Sequence, residues 1–212
     1  MNILIFDHSH YVTEYLIKHY CEDNINVYCI EWNEHKSENG FLHKYSTNDH
    51  QVLGEINIFD NNLDVIVTEG LFFDVIINNL ELRRNVGLED TDPEQWHQSM
   101  TRNLHLPFLL IQSVLDQIVQ GGQFIHLSST IAISGEGGDV SYASHKSALE
   151  SLSKSLSREV DMRSNVISVS DEVIRNPQHI TDLSKFIYQI SKLKHLLLNG
   201  QVLIFDNGET LT

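Results

Sequence analysis

Apolar runs of strand length alternate along the chain with longer segments in which apolar residues recur at helical spacing, the pattern of a parallel sheet with helices on both faces. Strands are predicted at Asn2–Phe6, Asn26–Ile30, Phe41–Tyr45, Asp64–Val67, Gln123–Leu127, Val166–Ser170 and Gln201–Phe205. Tyr11, Val12, Tyr15, Leu16, His19 and Tyr20 mark one face of a first helix, and a second amphipathic stretch runs from Asn48 to about Phe59. Asp92 as N-cap, Pro93 at the first helical position and Gln95 closing a capping box predict a helix from there to Gln120. Pro107 lies inside it, lacks the N–H that would bond the carbonyl of Asn103, and predicts a kink there. Further helices are expected over Ser141–Asp161 and, after Thr181 as cap, Asp182–Leu196. Between Glu69 and Thr91 the signal is mixed: Phe72, Phe73, Val75, Ile76 and Ile77 fit a short helix, and Glu81–Asp90 is polar and irregular. The expectation is an α/β chain, a doubly wound sheet of about seven parallel strands forming one domain over 1–212.

Charge narrows the function. The chain carries 14 Lys plus Arg against 29 Asp plus Glu, a net charge of −15, which argues against nucleic acid as a partner. Apolar stretches such as Leu104–Ile111 fall far short of the roughly 20 residues that span a bilayer, so no membrane partner is expected. Met1–Asp7 has no basic region and reads as a strand instead of a signal peptide. Cys21 and Cys29 fall in different predicted elements and read as reduced thiols, which implies a cytoplasmic location. The histidines His8, His10, His43, His50, His97, His105 and His126 show no ligand spacing on a common helix face, so no metal site is expected.

Tyr142 and Lys146 stand four residues apart near the start of a predicted helix, on one face. A cation beside a phenol lowers its pKa from about 10 and equips it as a general acid or base. Ser129 follows a predicted strand, at the end where a parallel sheet opens to its ligand crevice, and its hydroxyl is suited to hold a substrate oxygen. The carbonyl of Asn103, released by Pro107, is placed to hold a water that relays protons to Lys146.

In order and approximate spacing, Asn103, Ser129, Tyr142 and Lys146 resemble the catalytic tetrad of the short-chain dehydrogenase/reductase family. Gly121–Ser129 resembles that family's fifth strand, Tyr142–Val160 its following helix, and Gly200–Gly208 its closing strand. The resemblance implies a Rossmann-like fold and a nicotinamide cofactor, NAD or alternatively NADP. It also implies a small carbonyl or alcohol substrate, and pairing into a homodimer or homotetramer. Dinucleotide contacts are implied at Ser9, Tyr11 and Glu31, together with Tyr142 and Lys146.

The chain departs from the family where the cofactor is held. After the first strand it reads Asp7-His8-Ser9-His10-Tyr11-Val12-Thr13, with no glycine to let backbone approach a pyrophosphate. Asp7 adds negative charge there, and His8 and His10 are either compensating donors or solvated. The family's Asn-Asn-Ala-Gly is matched here to Thr68-Glu69-Gly70-Leu71, and its Pro-Gly to Asp171-Glu172. Few residues precede the last helix, which leaves an open cleft. Two functions follow: an oxidoreductase with Tyr142 as acid/base, or a weak or inactive relative acting as a binding or assembly protein.

Overall fold

Alternation along β1 (Asn2–Asp7) sends Ile3 and Ile5 into one core and Leu4 and Phe6 into another. The computed structural model describes residues 1–7, 10–32, 39–47, 49–57, 70–193 and 197–211. On one face, α1 (His10–Glu22) and α7 (Pro177–Lys192) cover the sheet through Val12, Leu16, Tyr20, Leu183 and Ile187. On the other, α3 (Leu106–Val114) covers it through Leu106, Leu110 and Val114, with Leu152 and Leu156 of α5 (Val140–Glu159) packed against that core.

The remaining strands are β2 (Asn26–Trp32), β3 (Asn39–Ser46), β4 (Asp49–Asn57), β5 (Phe73–Asn79), β6 (Ile118–Ser129), β7 (Arg163–Val169) and β8 (Val202–Phe205). They form one sheet in the order β4-β3-β2-β1-β5-β6-β7-β8. Strand order reverses between β1 and β5, so the crevice at the carboxyl ends of these strands is the ligand position of a doubly wound sheet. One rung of the ladder, Glu31, Asp7 and Asn79, crosses that crevice.

The α/β doubly wound class stands, with eight strands among the described residues instead of about seven. Several local expectations are corrected. Val75, Ile76 and Ile77 belong to β5, not to a short helix: a central strand buried on both faces reads as an unbroken apolar run, which periodicity cannot tell from a buried helix. Residues 49–57 form β4, not a helix. They pair antiparallel with β3, which itself pairs antiparallel with β2, so this edge of the sheet is a hairpin. Val52, Leu53 and Ile56 carry a helix-like spacing in the sequence because an edge hairpin need not alternate strictly. The strand predicted at Asp64–Val67 lies outside the described residues.

The helix predicted from Asp92 to Gln120 is broken. Asp92 caps α2 (Pro93–Met100) through Oδ1 accepting from Gln95 N at 2.8 Å, with the Gln95 side chain returning the bond. Thr101–His105 then form a π-helical turn, and Leu106 N reaches back five residues to Thr101 O. The widened turn leads the chain into Pro107 near the start of α3, where the missing N–H falls. The helical path ends at Gln117, and β6 begins at Ile118, earlier than predicted. Gly121 takes φ +75° within it, and a Cβ on Gly122 would lie 2.9 Å from Val119 O, so both glycines are required by the bend. The last helix starts at Pro177 under an Asn176 cap, and Thr181 bonds Pro177 O from inside it instead of capping.

Candidate active site

β6 delivers Ser129 to the crevice, α5 delivers Tyr142 and Lys146, and the strand end of β5 delivers the segment Leu80–Arg83. Tyr142 is 4 % exposed, and its hydroxyl donates to Glu81 Oε2 at 3.2 Å. The Ser129 hydroxyl stands beside the phenol, and Ser129 Oγ accepts from Ile131 N at 3.3 Å. The Arg83 guanidinium lies 5.5 Å from the phenol ring centre, and Lys146 Nζ lies 5.7 Å from it.

Lys146 is buried, and its ammonium donates to the carbonyls of Leu80 at 3.0 Å and Leu127 at 3.2 Å. Burial pushes its pKa down, and the charges of Glu81 and Glu150 push back. Glu150, one helical turn on, is itself a buried carboxyl with a raised pKa, caused first by burial.

The phenol does not have the lowered pKa that the Tyr-Lys spacing suggests. Burial raises it well above its ordinary value, the charge of Glu81 and its hydrogen bond raise it further, and Arg83 and Ser129 only partly oppose them. A phenol donating to a carboxylate is held in its protonated form.

Asn103 is fully buried in the π-helical turn, and its side chain is bonded to the backbone of Leu82 and Ser99 and to the Ser99 hydroxyl. Its Oδ1 accepts from Leu82 N at 3.0 Å, and its Nδ2 donates to Leu82 O at 2.9 Å and Ser99 O at 3.0 Å. It therefore pins the residue between Glu81 and Arg83. Asn103→Ala strands both polar groups of Leu82 and is expected to cost about 1–3 kcal/mol, read as a lower midpoint in urea unfolding.

The other expected cofactor contacts are spread out. Glu31 sits at the end of β2, where Tyr45 donates to its Oε1 at 2.7 Å and His43 Nε2 lies 3.6 Å from its Oε2. Asp7, 1 % exposed, accepts from Asn79 Nδ2 at 3.0 Å. Tyr11 is 68 % exposed and lines a separate surface groove with Tyr15, Ile174 and Pro177. Ser9, His8, Thr68 and Glu69 lie outside the described residues. No group of three or more potential metal ligands gathers among the described residues, and none of their helices is long and apolar enough to cross a membrane.

Sequence reasoning missed Glu81, Arg83 and Asp139. The signal for the first was present: once Phe73–Asn79 is the central strand, the family's Asn-Asn-Ala-Gly falls on Asn78-Asn79-Leu80-Glu81, with a carboxylate in place of the glycine. That corrects the match to Thr68–Leu71.

The cavity against Tyr142 measures about 180 Å³ and is lined by Asn79, Glu81, Arg83, Ser129 and Asp171 among others. Sites for small molecules and cofactors run to roughly 300–1,000 Å³. Among the described residues, Glu81 on the phenol, Glu31 bonded by Tyr45 and the sequence after Asp7 without a glycine each depart from an ordinary nicotinamide dinucleotide site.

The sequence profile of the short chain dehydrogenase family matches residues 16–174. Short-chain dehydrogenase/reductase FrzI of Cladobotryum sp is 32 % identical over 93 residues, 44 % of this chain and 36 % of that protein. The 3-oxoacyl-[acyl-carrier-protein] reductase FabG of Escherichia coli is 32 % identical over 98 residues, 45 % of this chain and 40 % of its own length. The matched part thus spans well under half of these relatives. Among solved structures, a short chain dehydrogenase family protein from Francisella tularensis superposes with a TM-score of 0.78 at 14 % identity, covering 100 % of this chain and 99 % of the other. A short-chain dehydrogenase/reductase from Serratia marcescens superposes at 0.76 and 16 %, covering 98 % and 96 %. At those identities the likeness concerns the fold.

Proposed function

Since the chain belongs to the short-chain dehydrogenase/reductase family, we propose that it is an oxidoreductase, one domain over 1–212, interconverting a small carbonyl and its alcohol. The convergence of Tyr142, Ser129 and Lys146 at the carboxyl ends of the strands supports this reading most. The proposed hydride carrier is a nicotinamide, NAD first and NADP second. Tyr142 Oη donates its proton to the substrate oxygen in reduction and takes it back in oxidation. Ser129 Oγ holds the same oxygen, and the buried Lys146 ammonium stabilises the phenolate that remains. Asn103 is assigned the relay that returns a proton toward Lys146. The raised phenol pKa favours the donating form.

A second reading, a weak or inactive relative acting in binding or assembly, is favoured by one observation: the hydroxyl that would meet the substrate is already held by Glu81. NADH absorbance followed in the presence of a panel of small ketones and 3-oxoacyl thioesters separates the two. Consumption that depends on the carbonyl supports the oxidoreductase, and none at millimolar NADH supports the second reading.

The proposed location is the cytoplasm, in keeping with Cys21 and Cys29 as free thiols. A homodimer or homotetramer is proposed through α3 and α5. Ile111, Val114 and Leu149 are buried in the chain's own core, and the exposed Phe108 with the outer surface of half-buried Leu109, Leu115, Leu152 and Leu156, whose inner surface packs on that core, is proposed to pair about a two-fold axis. Light scattering at micromolar concentration is expected to give at least twice the 24.3 kDa chain mass. Leu152→Glu, which desolvates a charge in that contact, is expected to return it to one chain. A wild-type monomer would rule the pairing out.

A further inference from the structure

Arg83 spans the mouth of the crevice. Its Nη1 donates to both carboxylate oxygens of Asp171 at 2.6 and 2.7 Å, and its Nε and Nη2 donate to Asp139 Oδ2 at 3.0 and 2.7 Å. Arg83 and Asp171 line both the cavity on Tyr142 and a neighbouring cavity of about 650 Å³ that also meets Thr130 and Glu136. Arg175, which lines both spaces and donates to Asp171 Oδ2 at 3.1 Å, completes the wall that this ion pair forms between them. Two residues before Arg83, Glu81 holds the Tyr142 hydroxyl, and Asn103 clamps the residue between them.

The geometry points to an internal latch: Glu81 occupies the oxygen-binding position on Tyr142 while the Arg83–Asp171 pair, anchored by Asp139, divides the crevice, so cofactor and substrate are shut out until the Glu81–Tyr142 and Arg83–Asp171 contacts break. This rests on the reading of the Tyr142 crevice as the substrate site and adds what controls entry to it. A hydroxyl has one proton to donate, so Tyr142 cannot serve Glu81 and a carbonyl oxygen together. Charge-assisted arginine–carboxylate hydrogen bonds are among the stronger polar contacts, and at 23 % exposure Arg83 is partly sheltered from solvent. With the wall removed, the small space against Tyr142 opens into a neighbour that is itself of the size small ligands occupy.

The test is calorimetric titration of NADH into the wild-type chain and into the double variant Glu81→Ala/Asp171→Asn. Arg83 is retained because its removal would strand Asp139, which is 4 % exposed. The double variant is expected to bind NADH about tenfold more tightly or better, a gain of roughly 1.4 kcal/mol. In Glu81→Ala alone, the Tyr142 phenol, followed by NMR of labelled tyrosine, is expected to titrate at lower pH than in wild type. That measurement carries the test if the double variant does not fold. Wild-type binding as tight as that of the folded double variant, or a phenol titration that does not move, overturns the latch. A double variant that gains NADH but reduces no carbonyl keeps the latch and sinks the oxidoreductase reading. Carbonyl reduction by wild type with no gain on opening does the reverse.

Discussion

Tyr142→Phe is expected to lower carbonyl reduction by about 10²- to 10⁴-fold, the contribution of one positioned general acid, with the loss in kcat and little change in KM. The variant removes a single oxygen. The ring contacts with Arg83 and Lys146 remain, and the hydroxyl's hydrogen bond runs to Glu81, a half-buried side chain that water can satisfy. The fold is therefore expected to survive, which a circular dichroism spectrum and an unchanged urea midpoint check. Ser129→Ala leaves the acid in place and removes only the second holder of the oxygen, so its loss should be the smaller of the two. A Tyr142→Phe chain reducing carbonyls at the wild-type rate would place the acid elsewhere.

Much of the fold was readable because burial leaves local marks. The alternation of Ile3, Leu4, Ile5 and Phe6 between two cores, the capping box at Asp92 and Gln95, and the apolar face of α1 are each written within a few residues. β5 was misread because a strand covered on both sides has no polar face to set its period. The same misreading hid Glu81, since the match of Asn78-Asn79 to the family pattern depends on where the strand ends. Tyr142, Ser129 and Lys146 were legible by type and spacing, and they do meet. What closes over them was not: Arg83 pairs with Asp139 and Asp171, 56 and 88 positions away, and contacts at that separation leave no periodic trace. The direction of the Tyr142 pKa shift was lost with them. Spacing alone names the nearby cation and is silent on burial and on the carboxylate, which here outweigh it.

Acid is expected to unfold this chain through His126. The residue lies mid-strand in β6, fully buried, with Nδ1 3.4 Å from Asn78 Nδ2 and Nε2 3.3 Å from Ser164 Oγ. Burial, and then the positive charge of Lys146, lower its pKa from 6.5 to about 3. The folded chain therefore keeps this imidazole neutral where the unfolded chain protonates it. A depressed folded-state pKa means the contribution is complete above pH 6.5 and is lost as pH falls toward 3. The slope is about 1.4 kcal/mol per pH unit, or on the order of 5 kcal/mol across the window, against a total stability of roughly 5–15 kcal/mol for a domain. Urea unfolding between about pH 7 and pH 4.5 should show it: His126→Gln, which cannot take up the proton, starts less stable but loses less on acidification. Parallel loss in the two chains would assign acid sensitivity to other groups. The same neutrality serves the site, because a second cation beside the Lys146 ammonium would push its proton off and remove the charge that a Tyr142 phenolate needs.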